Sequence, residues 1–263
     1  MIRATLDNHT ILKFNLLLEL KDLKHVVTTR QDGVSKPPYE SFNLSLTVGD
    51  AEENVSINRL KLANLMNIRN EELFIPDQCH SANIREVNVD THPEDLKETD
   101  ALVTNLKDRC LVILTADCVP VLLYDSVKHA IAAIHAGWRG TIEGIVVKTI
   151  EFMSMQYSSK PADLIACIGP SISWPNYEVG DEVAERFEDL FGMKSNVLRL
   201  TKCSDKTHID LCEANRILML ESGVLPEHIE ISQLCTYDKP GLFFSARRDG
   251  IKSGRFASCI MLR

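Results

Sequence analysis

Three residues with metal-binding side chains occupy turn-rich or strand-edge positions along the chain. They are His80 in Pro-Asp-Gln-Cys-His, Cys118 in Thr-Ala-Asp-Cys-Val-Pro, and His135 in Ile-His-Ala-Gly-Trp-Arg-Gly. Neutral imidazole and thiolate both bind zinc and copper well. Three protein ligands leave a fourth position open for water, whose pKa the metal lowers, so a site of this kind predicts catalysis rather than bracing of the fold.

The residue types alone leave a simpler interpretation open. Cysteine is among the most buried residue types and usually behaves as a small hydrophobic side chain. The spacings between His80, Cys118 and His135 match no local metal-binding motif. Ligand chemistry by itself therefore does not decide whether the three side chains meet.

The composition limits the class of protein. The chain has 263 residues, 44% of them hydrophobic and 25% charged, which is typical of a globular protein with a substantial core. A formal net charge of -8 argues against a general nucleic-acid or anionic-membrane surface. No run is apolar enough to span a membrane or to act as a signal peptide. The eight cysteines contain no Cys-x-x-Cys pair, which indicates reduced thiols in the cytoplasm rather than a disulfide framework.

The order of predicted elements indicates an α+β (mixed α/β) protein. Apolar runs predict strands at 25–30, 84–89, 110–114, 119–124, 129–135, 164–168, 229–232, 242–246 and 255–262. Helical spacing predicts helices at 50–66, with Asp50 as the N-cap, and at 142–153, 183–191 and 211–218. The clustered central and C-terminal strands argue against a regular βαβ repeat. No linker or internal repeat divides the chain, so residues 1–263 are predicted to form a single domain.

Long motifs around two of the three residues carry a family resemblance. Residues 115–125 read Thr-Ala-Asp-Cys-Val-Pro-Val-Leu-Leu-Tyr-Asp, and residues 135–141 read His-Ala-Gly-Trp-Arg-Gly-Thr. Shorter motifs lie at 43–44, 48–50, 58–59, 78–80, 100–104, 169–172, 177–179, 210–211, 235–236 and 244–250. From about Thr28 onward the chain resembles the laccase-domain, or YfiH-type, family. Its members were first labelled multicopper polyphenol oxidases and later assigned as purine nucleoside phosphorylases with adenosine deaminase activity.

The resemblance implies a fold, a cofactor and substrates. It implies that His80, Cys118 and His135 are zinc ligands at the catalytic centre, within a four-layer fold of two packed mixed β-sheets flanked by helices. The substrates would be purine nucleosides and phosphate. Adenosine, inosine or S-methyl-5′-thioadenosine would be cleaved to the base and a pentose 1-phosphate, and adenosine would also be deaminated. Such an enzyme is both a transferase and a hydrolase, and the sequence leaves monomer and homodimer open.

Two segments depart from the family pattern. The usual Gln-Val-His-Gly reads Gln-Cys-His-Ser at 78–81, which places the thiol of Cys79 beside a predicted ligand. The usual Ser-Tyr-Arg-Arg reads Ser-Ala-Arg-Arg at 245–248, so Ala246 stands in place of an aromatic side chain. Neither departure removes a predicted zinc ligand.

Deamination also needs a group that moves protons. Asp117 is the carboxylate nearest in sequence to Cys118 and is therefore a catalytic candidate beside the three predicted ligands. Neighbouring residues of a strand face opposite ways, however, and this favours a structural role for Asp117.

Five further residues are candidates for binding phosphate or the nucleoside. The planar guanidinium of arginine suits phosphate, and Arg30, Arg247 and Arg248 lie in motif segments beside turns. Each of them can instead be a solvated or salt-bridged surface residue. Asn43 is a candidate partner of the ribose or of a metal-bound water, or else forms an Asx turn. Tyr177 is predicted to face the cleft or to pack on the following helix.

Three other functions remain open at this stage. A copper-dependent polyphenol oxidase, or laccase, also uses two histidines and a cysteine. No two of the eight histidines are spaced His-x-His, however, and the copper cluster of a multicopper oxidase relies on such pairs. A cysteine or metal amide hydrolase acting on a peptidoglycan precursor would use Cys118 as nucleophile and His135 as base. A non-enzymatic binding domain would use zinc only to brace its fold, although structural zinc sites usually close with four protein ligands.

Overall fold

The computed structural model describes residues 1–192, 196–201 and 204–263. The strands are, in chain order, β1 (Ile2–Leu6), β2 (His9–Lys13), β3 (Leu23–Thr28), β4 (Leu73–Phe74), β5 (Ile84–Glu86), β6 (Ala101–Thr104), β7 (Cys110–Thr115), β8 (Val119–Asp125), β9 (Ala130–Ala136), β10 (Leu164–Ile168), β11 (Leu198–Thr201), β12 (Ser204–Ile209), β13 (Ile229–Ile231) and β14 (Phe256–Leu262). The α-helices are α1 (Glu52–Met66), α2 (Trp138–Ile142), α3 (Ile145–Tyr157), α4 (Asp181–Phe191), α5 (Leu211–Glu221) and α6 (Ala246–Asp249).

Most of these strands form two six-stranded mixed sheets. The first has the order β1-β2-β3-β14-β7-β4, and the second has the order β13-β10-β8-β9-β6-β5. Most neighbours are antiparallel, whereas the β4–β7, β5–β6 and β10–β13 pairs are parallel. Strands β11 and β12 form a separate antiparallel pair.

Side-chain alternation along the central strands produces four layers. In β7, Leu111 and Ile113 pack between the two sheets, whereas Val112 faces the layer that contains α1. In β8, Leu122 packs between the sheets, whereas Val121 faces α3, α4 and α5. Both faces of each strand are thus apolar, which is why these segments read as continuous hydrophobic runs. The resulting order of α1, first sheet, second sheet and outer helices confirms the four-layer α+β prediction.

The buried central strands lie close to their predicted positions, but other elements differ. The predicted strand at 242–246 is wrong, because Ser245 accepts the N–H of Arg248 and begins helix α6. Asp50 is not the N-cap of α1: Ala51 occupies that position, and Asp50 accepts hydrogen bonds from Ala51 N and the Asn43 side chain.

The predicted helix at 142–153 is two helices. The backbone turns at Gly144, whose φ of 74° lies in the left-handed region that glycine adopts without strain. Strands β1, β2, β4, β6, β11 and β12 were not predicted.

The state of the cysteines and the character of the helices bear on the predictions of reduced thiols and of no membrane-spanning segment. Seven cysteines lie within them and all seven are free thiols, while Cys203 lies outside them. None of the described helices has the length and apolar character needed to cross a bilayer.

Candidate metal centre

His80, Cys118 and His135 converge although they come from three separate segments. Their ligand atoms all lie within 4.8 Å of one another. The imidazole rings of His80 and His135 meet nearly edge to face, with centroids 4.8 Å apart and an interplanar angle of 78°. Two imidazoles and a thiol at this separation offer a site that a metal ion can occupy.

The second sheet brings Cys118 and His135 together. Strands β8 and β9 pair antiparallel, with Pro120 opposite His135 and Val119 opposite Ala136. Cys118 immediately precedes β8, so it lies at the same end of this strand pair as His135. The register of two neighbouring strands therefore places both ligand atoms.

The loop that carries His80 is attached to the strand before Cys118. The side-chain amide of Gln78 donates to the carbonyl of Leu114 and accepts its N–H, both at 2.8 Å. His80 itself has a φ of 63°, in the left-handed region that few residues other than glycine adopt. The Gln78 contacts therefore hold the His80 loop against β7.

A buried carboxylate orients both histidines. Asp100, which directly precedes β6, is fully buried, and its Oδ1 lies 2.7 Å from Nδ1 of His135. The same carboxylate accepts the backbone N–H groups of Cys79, His80 and Ser81. With Nδ1 of His135 held by Asp100, its Nε2 is the nitrogen left for a metal.

The electrostatics of this group favour the thiolate. Burial raises the pKa of Cys118, but the charges and hydrogen bonds of His135 and His80 outweigh it and lower the pKa of the thiol. Burial lowers the pKa of His135, but Cys118 and Asp100 outweigh it and raise that pKa. Burial likewise opposes ionisation of Asp100, yet the hydrogen bonds from His135 and Ser81 hold its pKa below the usual range. Thiolate is the form that binds metals and acts as a nucleophile.

Two glycines allow the start of α2 to pack on the ligands. A Cβ on Gly137 would lie 3.1 Å from Cδ2 of His80 and 3.3 Å from Sγ of Cys118. A Cβ on Gly140 would lie 2.8 Å from the backbone oxygen of Ser81. This close approach explains the glycines of the His-Ala-Gly-Trp-Arg-Gly motif.

The three side chains open into a cleft of about 800 Å³, a volume typical of small-molecule sites. Of the predicted substrate residues, Arg247 and Tyr177 line it. The guanidinium of Arg247 lies 5.2 Å from the centre of the Tyr177 ring and donates to the carbonyl of Glu178. Burial raises the pKa of Tyr177, so its hydroxyl stays neutral at ordinary pH.

The structure does not bring Arg30 or Arg248 to the cleft. The guanidinium of Arg248 donates to the carbonyls of Thr236, Tyr237 and Phe243, at 2.7 to 2.8 Å. That of Arg30 donates to the carbonyls of Glu40 and Pro240 and lies over the ring of Phe244. Both arginines join backbone segments, and neither lines the cleft. The structure therefore gives no support to the prediction that they bind phosphate.

Asn43 also has a role in the backbone. It is fully buried, and its Oδ1 accepts the N–H groups of Ser45 and Arg255. Its amide donates to Asp50 and to the carbonyl of Ser45. Asn43 therefore forms the Asx turn that was its alternative interpretation.

Asp117 holds the segment that carries Arg247. Its Oδ1 accepts the hydroxyl of Thr236 at 2.6 Å. Its Oδ2 accepts the Ser245 hydroxyl at 3.0 Å and the N–H of Arg247 at 2.7 Å. With three donors on two oxygens, this carboxylate is placed as a structural anchor beside the cleft.

Three residues near the site were missed by sequence reasoning. Asp100 opens the Asp-Ala-Leu-Val-Thr motif, and its signal in the sequence is a carboxylate directly before a short, mostly apolar segment. Arg59 and Arg255 line the cleft. Burial lowers the pKa of Arg255, and the nearby charges of Cys118 and Asp117 partly offset that effect.

Cys79, the residue that departs from the family pattern, lies beside the site but contacts Asp100. Its Sγ lies 3.3 Å from Oδ2 of Asp100, and burial raises the pKa of its thiol. The extra thiol therefore adds a donor to the carboxylate that orients the histidines.

The chain is similar in sequence to proteins that are named as nucleoside-processing enzymes. The chain is 44% identical to a purine nucleoside phosphorylase of Bacteroides thetaiotaomicron, over 100% of this chain and 99% of that one. It is 36% identical to an adenosine deaminase from an unknown prokaryotic organism, over 92% and 95% of the two chains.

Solved structures show the same fold. The hypothetical protein YfiH of Bacillus licheniformis superimposes with a TM-score of 0.89 and 34% identity, over 93% of this chain and 94% of that one. YlmD of Geobacillus stearothermophilus gives a TM-score of 0.87 and 31% identity, over 92% and 93%. The family model described as multi-copper polyphenol oxidoreductase laccase matches residues 24–263. The chain therefore belongs to this laccase-like family, whose fold it shares with YfiH and YlmD.

Proposed function

We propose that the chain is a zinc-dependent purine nucleoside phosphorylase that also deaminates adenosine, with His80, Cys118 and His135 as its zinc ligands. The observation that supports this most strongly is the meeting of these three donors at the wall of a cleft sized for a small molecule. The names of the relatives, purine nucleoside phosphorylase and adenosine deaminase, give the substrate class.

The donor set fits zinc. Two imidazoles and a thiolate match the nitrogen and sulfur ligands that zinc prefers, and three protein ligands are typical of catalytic rather than structural zinc sites. The hydrogen bond from His135 to Asp100 is the kind of support that metal-binding histidines have. A bound zinc ion would supply Lewis-acid activation of water or of a substrate oxygen.

Three arginines are proposed to bind phosphate and the substrate's oxygens. Arg59, Arg247 and Arg255 line the cleft together with the carboxylates of Asp77, Glu94 and Asp117, and these three guanidinium groups are the ones there suited to an anion. The Nε of Arg59 donates to the carbonyl of Leu44, which fixes the orientation of the guanidinium group. Its two terminal nitrogens are then the donors proposed to bind an anion. Tyr177, stacked with Arg247, offers a flat surface for a purine.

We also propose that residues 1–263 work as a single cytoplasmic domain, as a monomer or homodimer. The apolar core between the two sheets draws on both of them, which supports one folding unit. The free thiols among the described cysteines are consistent with a reducing compartment.

A copper-dependent laccase is less well supported, although the family model carries that description. Within the described residues, His80, Cys118 and His135 are the one group of three or more His, Cys, Asp or Glu side chains close enough to hold a metal. A multicopper oxidase needs a copper cluster in addition to such a centre.

An amide hydrolase that uses Cys118 as nucleophile is the second candidate function. The lowered pKa of Cys118 and the raised pKa of His135 would suit a thiolate–imidazolium pair. Metal analysis separates the two functions, because a thiolate nucleophile works without zinc and zinc would block it.

Product analysis on protein of measured metal content tests the proposal. With phosphate, zinc-loaded protein should convert adenosine to adenine, and without phosphate it should yield inosine. Cys118→Ala should abolish both products, whereas Cys79→Val, which removes only the neighbouring thiol, should retain them. Zinc-loaded protein that leaves adenosine, inosine and methylthioadenosine unchanged would show the proposal to be wrong.

A further inference from the structure

A second pocket, of about 480 Å³, lies beside the cleft. The two cavities share Arg59 and Ile75 in their linings, so these residues stand between them. The rest of the second pocket belongs to other elements, including β4 and the segment from 89 to 92. Apart from Arg59 and Ile75, it is therefore built from residues that do not line the site proposed to bind the nucleoside.

The apolar part of this pocket is suited to a flat ring. Leu73 and Phe74 of β4 line it, and the guanidinium of Arg109 lies 5.5 Å from the centre of the Phe74 ring. A planar guanidinium that stacks on one aromatic ring can stack on a second ring through its other face. Val89 adds an apolar side chain at the rim that is 70% exposed.

The charged part of this pocket is suited to an anion. Arg59 and Arg109 line it, and among the described residues neither forms an ion pair with a carboxylate. Glu71 also lines the pocket, but its carboxylate is exposed and supplies one negative charge against the two positive charges of the guanidinium groups. The side chain of Asn70 adds a neutral hydrogen-bonding group, whereas the Thr91 hydroxyl already bonds Asn88. The balance of charge is positive, in a protein that is acidic overall.

We propose that this pocket binds a small aromatic anion, a flat ring that bears a phosphate or a carboxylate. The ring lies over Arg109 and the apolar wall, and the oxyanion accepts hydrogen bonds from Arg59 and Arg109. This site goes beyond the proposed nucleoside chemistry and does not depend on a metal in the cleft.

Isothermal titration of the full-length protein with phenyl phosphate and with benzoate tests the site. Arg109→Ala should weaken binding about tenfold or more, as expected for loss of a charge-assisted hydrogen bond and a stacking partner. Val89→Glu should weaken binding similarly, because it adds a negative charge at the exposed rim without disturbing the core. Arg3→Ala, on β1 at the opposite edge of the same sheet, should bind like the unmodified protein.

Three results would overturn the site, while the thermal unfolding midpoint of each variant controls for its folding. One is an absence of binding by the unmodified protein. Another is binding that Arg247→Ala removes and Val89→Glu leaves intact, which would place the probe in the cleft. The third is equally tight binding of neutral benzyl alcohol, which would show that the guanidinium groups do not recognise an anion. None of these results depends on whether the protein acts on nucleosides.

Discussion

The Nδ1 atom of His135 lies 2.7 Å from Oδ1 of Asp100, and this contact ties one imidazole to a carboxylate that also accepts the backbone N–H of His80. Asp100 comes from the end of β6 nearest the cleft, so the β6–β9 pairing positions a residue that is not itself one of the three donors. The geometry of the proposed metal centre therefore depends on a group that contacts both histidines.

Asp100→Asn should lower zinc affinity by about 10- to 100-fold, the range found when the carboxylate partner of a metal-binding histidine is lost. An asparagine side chain accepts hydrogen bonds only through its oxygen, whereas aspartate accepts them through two oxygens. Some of the donors around Asp100 therefore lose their partner. Competition with a chromophoric zinc chelator measures the affinity. Asp90→Asn, at an exposed carboxylate, is the control, and equal affinity in the two variants would contradict the orienting role.

Gly137→Ala should weaken metal binding without unfolding the protein. The added methyl group would lie 3.1 Å from the His80 ring and 3.3 Å from Sγ of Cys118, closer than most Cβ contacts in proteins, so these side chains must give way by a few tenths of an ångström. Zinc affinity and kcat/KM for adenosine should both fall, whereas the unfolding midpoint of the metal-free protein should change little. Gly241→Ala has open space around its Cβ and serves as the matched variant. Unchanged zinc affinity in Gly137→Ala would mean that the two side chains do not hold the metal in this arrangement.

The sequence predicts the central strands well because they are buried on both faces. Their apolar runs are continuous, and the β10 prediction coincides with Leu164–Ile168. The prediction at 242–246 fails because Phe243 and Phe244 are buried from a loop rather than from a sheet. A hydrophobic segment indicates that its side chains are buried, but it does not distinguish a strand from a loop. Here the hydrogen bond of Ser245 as an N-cap favours a loop that leads into a helix.

The site residues also differ in how well the sequence predicts them. Cys118 and His135 stand in long motifs, so a resemblance can find them. Arg247 and Arg248 are neighbours in sequence, yet one lines the cleft and the other binds three backbone carbonyls. Adjacent residues of a helix point about 100° apart, and sequence alone does not say which of them faces the cleft.

Asp117→Ala should destabilise the protein by about 3 kcal/mol, because three donors lose a buried charged acceptor. Asp117→Asn should cost much less, since its carbonyl can still accept the N–H of Arg247 while the Thr236 hydroxyl reverses its role. Urea unfolding of the two variants measures the difference, and an adenosine assay accompanies it. A stable Asp117→Asn variant without activity would instead make this carboxylate a proton-transfer group.

A buried histidine far from the cleft should make stability depend on pH. His25 is only 4% exposed, and its Nε2 accepts the backbone N–H of Phe14 at 2.8 Å. Burial, together with the charge of Lys13, lowers the pKa of His25 from 6.5 to about 4. Between these two values the unfolded chain binds a proton that the folded protein does not. Stability from this residue is therefore complete above pH 6.5 and is lost as the pH falls toward 4.

The size of the effect follows from the two pKa values. Between pH 7.5 and pH 4.5 the protein should lose about 2.5 kcal/mol through His25, at roughly 1.4 kcal/mol per unit of pKa difference. His25→Gln does not titrate and can still accept the N–H of Phe14, so this part of the pH dependence should vanish. Urea unfolding of metal-free protein at the two pH values measures it, with His92→Gln, at an exposed histidine, as the control. If His25→Gln loses as much stability on acidification as the unmodified protein does, the buried imidazole is not the source.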